Sequence, residues 1–264
     1  MNAIGKQRSR QDGGSATGPL YDRIGTHYSA TRRTDPRIAQ QLHAQLHGAT
    51  RIVNIGAGSG SYEPQNVALV AVEPSSQMIA QRKPNAHRAV QASAEQLPFD
   101  DNTFSHAMTV LSMHHWQRRD LAFAEIKRVT TDTFVAITWD PESEPFWLTR
   151  DYFPEIHRRD AGQFPTMAEL REHFDAVALH PLPVPSDCQD GFLAAFWQRP
   201  RAYLDAAVRR SISPFARLDD PSPGLRKLQN DLDSGVWERK NRAILERSSL
   251  DVGYRLITAS VRTV

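Results

Sequence analysis

The chain has 264 residues, 40% of them hydrophobic, which is enough for one large core and a smaller appended unit. Its 32 basic and 30 acidic side chains leave a formal charge of +2, arguing against an electrostatic nucleic-acid binder. The single cysteine, Cys188, excludes an intrachain disulfide framework and a Cys-rich metal site and suits a reducing compartment.

In chain order, residues 1–18 are rich in Gly, Ser, Gln and Arg and read as a mobile arm. They lack an apolar signal core, and no later run reaches the roughly 18 apolar residues of a membrane span. The expectation is a soluble, cytoplasmic protein without a membrane partner. Pro36 opens a helix that carries Ile38, Leu42 and Leu46 on one stripe and ends at Gly48. Strands are predicted at 51–55, 67–73, 89–92, 104–113 and 133–139, with helical segments such as SSQMIAQR and DLAFAEIKRV between them. Near-continuous apolar strands alternating with helices indicate a doubly wound, mostly parallel α/β sheet covered on both faces. Beyond Trp139 the rhythm changes. Residues 141–160 look like an insertion, and 165–174 form a helix. The stretch 177–185 is a strand broken by Pro181, Pro183 and Pro185, which places it at an edge. A helical stretch precedes a last strand within 251–264. The expected organisation is an arm (1–18), a ligand-binding core with an N-terminal lid (19–140), and a C-terminal part (141–264). This last part completes the sheet and inserts a helical cap at about 190–245.

Ligands of such sheets bind at the carboxyl ends of the strands. There the stretch VNIGAGSG brings Gly56, Gly58 and Gly60, which permit positive φ and close backbone approach. Glu73, ending the second strand, can accept hydrogen bonds from the two hydroxyls of a ribose. A dinucleotide fingerprint needs G-x-G-x-x-G opening a full helix whose N-terminus holds the pyrophosphate. Here the spacing is G-x-G-x-G, and only SYEPQN separates the loop from the next strand. A ribose-bearing ligand without a pyrophosphate fits better.

VNIGAGSG, VAVEPSSQMI and QASAEQLPFDDNTFSHAMTVLSMHHW follow one another in the order found in class I S-adenosylmethionine-dependent methyltransferases, and the chain resembles that family over about 21–140. The likeness is to the broad group that includes ubiquinone- and menaquinone-pathway enzymes. It implies a Rossmann-like methyltransferase fold of seven strands and S-adenosylmethionine as cofactor. It also implies Gly56 and Gly58 against the methionine part, Glu73 on the ribose, Pro74 and Met78 beside the adenine, and Ala94 and Glu95 at the adenine edge. Leu111 would close over the ligand. YDRIGTHY resembles the segment that folds over the cofactor, which makes Tyr28 a cofactor contact and Tyr21 a substrate-side lid residue. Arg32 and Arg33 could reach the cofactor carboxylate, or simply face solvent. Asn54 stands where the family often carries an acid, and Ser93 where an aspartate is common. Glu63 is the expected source of a compensating negative charge.

Methyl transfer chiefly requires alignment of donor and acceptor, with a general base where the acceptor must lose a proton. His114 and His115, after the fourth strand, are the catalytic candidates; packing or capping roles are the alternative. Asp140 faces the same crevice but suits turn hydrogen bonds before Pro141. Trp147 and Trp197 are candidate linings of an apolar acceptor pocket, and otherwise belong to the cap's own core. His43 and His47 have helical metal-pair spacing without a third ligand, so no metal site is expected. The expected function is methyl transfer to a small organic acceptor, with the methylated atom open. A non-catalytic cofactor-binding protein is the alternative; an NAD-dependent oxidoreductase and an RNA methyltransferase rank below it.

Overall fold

The computed structural model describes residues 32–261. Helix α1 (Pro36–Ala44) precedes β1 (Arg51–Ile55), β2 (Ala68–Val72), the short helix α2 (Ser76–Ala80) and β3 (Ala89–Val90). β4 (Phe104–Val110), α3 (Arg119–Val129) and β5 (Thr130–Trp139) come next. Helices α4 (Trp147–Asp151), α5 (Pro154–Ala161) and α6 (Met167–His173) lead to β6 (Asp175–Pro181) and β7 (Val184–Pro185). Helices α7 (Ala206–Arg210), α8 (Ser222–Asp233) and α9 (Val236–Leu245) precede β8 (Ser249–Leu250) and β9 (Tyr254–Ser260).

Seven strands form one sheet in the order β3-β2-β1-β4-β5-β9-β6. β1 through β5 are parallel, while β9 runs antiparallel between β5 and β6. The predicted doubly wound α/β class and the edge position of the proline-broken strand therefore hold. Pro181 is the last residue of β6, where a missing N–H costs the ladder nothing.

The period of two within the strands divides the interior into two layers. Ile52, Met108, Val135 and Ile137 point to the side covered by α1, with Ile38 and Leu42. Val53, Ala107, Phe134 and Ala136 point to the other side, against Phe123 and Ile126 of α3. A third core, built from Trp147, Leu148, Phe153, Tyr203, Leu228 and Trp237, lies in the cap. It joins α4 and α5 to the helices after β7, so the stretch after β5 and the later helical stretch pack as one unit. The switch from β1 to the reversed side at β4 opens a crevice at the strands' carboxyl ends, and the cap stands beside it.

Candidate active site

β1 ends at Ile55, and the chain then turns sharply through Gly56 (φ +69°), Gly58 (φ +53°) and Gly60 (φ +93°). A Cβ on Gly56 would stand 2.3 Å from Ser112 Oγ, so a glycine is needed there for space as well as for φ. No helix follows this loop; Tyr62 itself sits at φ +66°, and the chain re-enters the sheet at Ala68. The loop is tied to β2 from the side. Glu73 accepts from the Gly58 N–H (2.8 Å) and from the Ser75 N–H (3.0 Å), while Ser75 caps α2 by accepting from Met78 N–H.

These residues line a cleft of about 1020 Å³. Asn54, Gly56, Gly58, Glu73, Pro74, Met78, Ala94, Glu95 and Leu111, all expected at the cofactor, lie on its wall together with His114 and His115. Glu95 also accepts from the Gln117 N–H (2.9 Å), which holds the loop after β4 against the cleft wall. Leu111 has φ +50°, a strained value for a branched side chain. Tyr21 and Tyr28 lie outside the described residues.

The replacement of the expected acid has a specific structural answer. Asn54 Nδ2 donates to Glu63 Oε1 (3.0 Å), and the Glu63 carboxylate pairs with the buried Arg82 guanidinium at 2.7 Å. The expectation that Glu63 supplies a free negative charge is thus corrected: Arg82 neutralises it, and Glu63 does not line the cleft. Asn54 Oδ1, in contrast, is buried without a hydrogen-bond partner among the described residues. An unpaired carbonyl oxygen on the wall of this cleft is an acceptor awaiting a donor, and the ammonium group of S-adenosylmethionine is one. The glycine turn, the ribose-side carboxylate and this orphan oxygen fit the cofactor.

Beyond Leu111 and His114 lies a second, smaller cavity of about 70 Å³. Arg32, Leu111, His114 and Arg217 line both spaces. Trp139, Phe146, Phe164 and Phe192 supply apolar walls, and His157, Asp160 and Glu144 supply polar ones. His114 stacks on Phe164 with centroids 4.1 Å apart, and its Nδ1 has no partner among the described residues. Burial pushes its basicity well below the usual histidine range, helped by His115 and Arg217. His115 is lowered to about 3 by burial and by the Arg217 guanidinium, so both rings are neutral near pH 7. A base that weak takes up a proton poorly, which counts against His115 as a general base.

Trp147 and Trp197 require correction as substrate residues. Both are almost fully buried in cores. Trp147 Nε1 donates to Trp197 O (2.8 Å) and Trp197 Nε1 to Val184 O (2.9 Å), so the indoles bind backbone, and neither side chain lines the cleft or the smaller cavity beside it. Arg32 is engaged with Asp190 at 2.7 Å, although it borders the cleft. Asp140 accepts from the Glu142 N–H (3.1 Å), the expected turn role. Burial raises the Cys188 thiol to about 12, consistent with a packing residue. Ser112, Arg217 and Asp160 escaped the sequence reading. Asp160 carried one usable signal, its spacing of three from His157 on an amphipathic helix. No helix among the described residues is long and apolar enough to cross a membrane.

A family model for a methyltransferase domain matches residues 53–133, the span from β1 to β5. A solved structure of a candidate methyltransferase from an antibiotic biosynthesis pathway of Anabaena variabilis is 33% identical, with a TM-score of 0.79, covering 87% of this chain and 98% of that one. The rice (Oryza sativa subsp. japonica) chloroplastic 2-methyl-6-phytyl-1,4-hydroquinone methyltransferase 2 is 27% identical over 144 residues. That match covers 50% of this chain and only 40% of the curated relative. The [4+2]-cyclase SpnF shares the fold, at 15% identity and a TM-score of 0.57, with 92% of this chain and 94% of that chain covered.

Proposed function

Because the chain belongs to the S-adenosylmethionine-dependent methyltransferases, we infer that it transfers a methyl group to a small organic acceptor held in the aromatic cavity beside the cofactor cleft. The observation that carries this reading is the shared wall of Leu111 and His114, which borders both the cofactor cleft and the enclosed apolar cavity. Bound S-adenosylmethionine supplies an electrophilic methyl group on a sulfonium, and the protein's task is alignment and exclusion of water. The turn at Gly56 and Gly58 lets the backbone approach the ligand. Glu73 accepts from the ribose hydroxyls, and Asn54 Oδ1 accepts from the ammonium without contributing a net charge. Leu111 and neutral His114 orient the acceptor, with His114 able to hydrogen-bond it. The rice relative acts on a hydroquinone, and an acceptor of comparable ring chemistry suits the Trp139 and Phe164 walls.

The test compares unfolding with saturating S-adenosylhomocysteine, S-adenosylmethionine and NAD. A ligand at 100 times its dissociation constant stabilises by about 2.7 kcal/mol. The two adenosyl ligands are expected to do so and NAD is not. Stabilisation by NAD alone sinks the reading. Release of S-adenosylhomocysteine on incubation with S-adenosylmethionine and a metabolite extract then tests turnover, and its absence across extracts points to a binding protein without catalysis.

A further inference from the structure

The polar groups of the smaller cavity are unevenly satisfied. α5 places His157 and Asp160 one turn apart on a single face, and both line the cavity, while Ile156 turns into the cap core. Asp160 is only 9% exposed, and among the described residues its carboxylate has no hydrogen bond or close ion pair. Arg217 and Arg159 act on it only at longer range. Arg217 directs two of its five donors to the Gln163 side-chain oxygen and His115 Nδ1, and Arg32 is paired with Asp190. His157 Nδ1 is likewise buried without a partner among the described residues, and its ring packs edge-on to Trp139 at 5.4 Å. A largely buried carboxylate without a protein partner is costly, and its oxygens, not sealed from the cavity, can take a donor that a ligand brings. Arg217 lines the same cavity, but among the described residues it forms no hydrogen bond or close ion pair with this carboxylate.

We propose that Asp160 is the acceptor-recognising residue, and that the acceptor is a compact, largely aromatic molecule presenting an O–H or N–H donor to this carboxylate. The proposal rests on the reading of this cavity as the acceptor site. Its chemistry is donation to an anion from within a cavity of aromatic walls and a few charged groups. A neutral hydroxyl and an ammonium both supply it, the second with added attraction to the faces of Trp139 and Phe164. An acceptor lacking such a donor leaves Asp160 unpaired and is rejected on that ground, a stronger discrimination than shape alone provides.

The full chain, saturated with S-adenosylhomocysteine, is titrated at pH 7.5 with phenol, benzylamine and toluene by ligand-detected NMR. S-adenosylhomocysteine binding is measured first, and its absence in the wild type overturns the function reading independently of Asp160. With it bound, phenol or benzylamine is expected to bind at least about tenfold tighter than toluene. Preference for phenol identifies a neutral donor, and preference for benzylamine a cationic one. Asp160→Asn should reduce the advantage of benzylamine or phenol about tenfold, and Asp160→Leu should remove it while retaining toluene binding. Equal binding of the three probes, no binding by any, or an advantage that survives in both variants overturns the proposal.

Discussion

Burial raises the Asp160 carboxyl to about 6 against an ordinary value of 3.8, so between these pH values the folded chain holds a proton that the unfolded chain has released. Stability from this group is therefore present below about pH 4 and is lost as pH rises through about 6. The loss is on the order of 3 kcal/mol once the carboxylate is ionised in place. Asp160→Asn is expected to be more stable than the wild type by about 1–3 kcal/mol at pH 7.5, the difference vanishing near pH 4. Urea unfolding at the two pH values checks it, and equal stability at pH 7.5 would show that the carboxylate carries no burial cost. Glu63 makes the opposite case. Its carboxylate and the Arg82 guanidinium are both nearly buried, so Glu63→Gln strands a charge. The expected loss is about 3 kcal/mol or more in unfolding free energy, with S-adenosylhomocysteine affinity in the folded fraction changed far less. A variant of unchanged stability would mean that the pair is solvated.

At the scale of elements, the turn after β1 is shaped by what it packs on. Ser112, beginning the short 3-10 segment after β4, donates to or shares hydrogen bonds with Ile55 O and Thr109 Oγ1, which fixes its side chain beneath Gly56. Gly56→Ala meets that side chain and a left-handed φ together, with a strain cost of roughly 1–2 kcal/mol before the clash is counted. The expected outcome is lower stability and loss of detectable S-adenosylhomocysteine binding by calorimetry. Retention of full affinity would show that the turn does not touch the ligand. The loop that replaces a helix here is held by Tyr62. Its hydroxyl donates to Asp190 (2.8 Å), and its backbone N–H donates to Thr34 Oγ1 (3.1 Å).

At the scale of the whole molecule, that tyrosine belongs to a latch joining three parts of the chain. Arg32 and Tyr62 meet at Asp190, while Arg37 bridges Asp35 to Asp187 and the Gln189 N–H donates to Asp35. The segment before α1, the loop after β1 and the connection entering the cap are thereby coupled. Asp190 is 1% exposed, so Asp190→Asn leaves Arg32 without its buried counter-charge. A stability loss of about 3 kcal/mol is expected, with faster amide exchange across 187–195 and weaker S-adenosylhomocysteine binding. Exchange confined to its wild-type rate in that segment would show that the latch does not hold the cap.

How much of this was legible beforehand follows from range. The parallel core was readable in RIVNI and TFVAITW, because strands covered on both faces must be apolar throughout, and α1 in the stripe of Ile38, Leu42 and Leu46. The glycine turn and Glu73 were readable because close approach and a strand-end carboxylate are local requirements. The roles of Asn54, Glu63 and Asp160 were not readable. Whether a polar group is spent or free depends on partners far along the chain: Arg82 pairs closely with Glu63, whereas Arg217 acts on Asp160 only at longer range. For the same reason Trp147 and Trp197 could be placed in the cap but not oriented, since which carbonyl an indole N–H finds is decided by packing. The sequence by itself determined the sheet and the glycine turn at its strands' carboxyl ends; only the tertiary structure decided which charges are paired, because pairing and burial are properties of the packed whole.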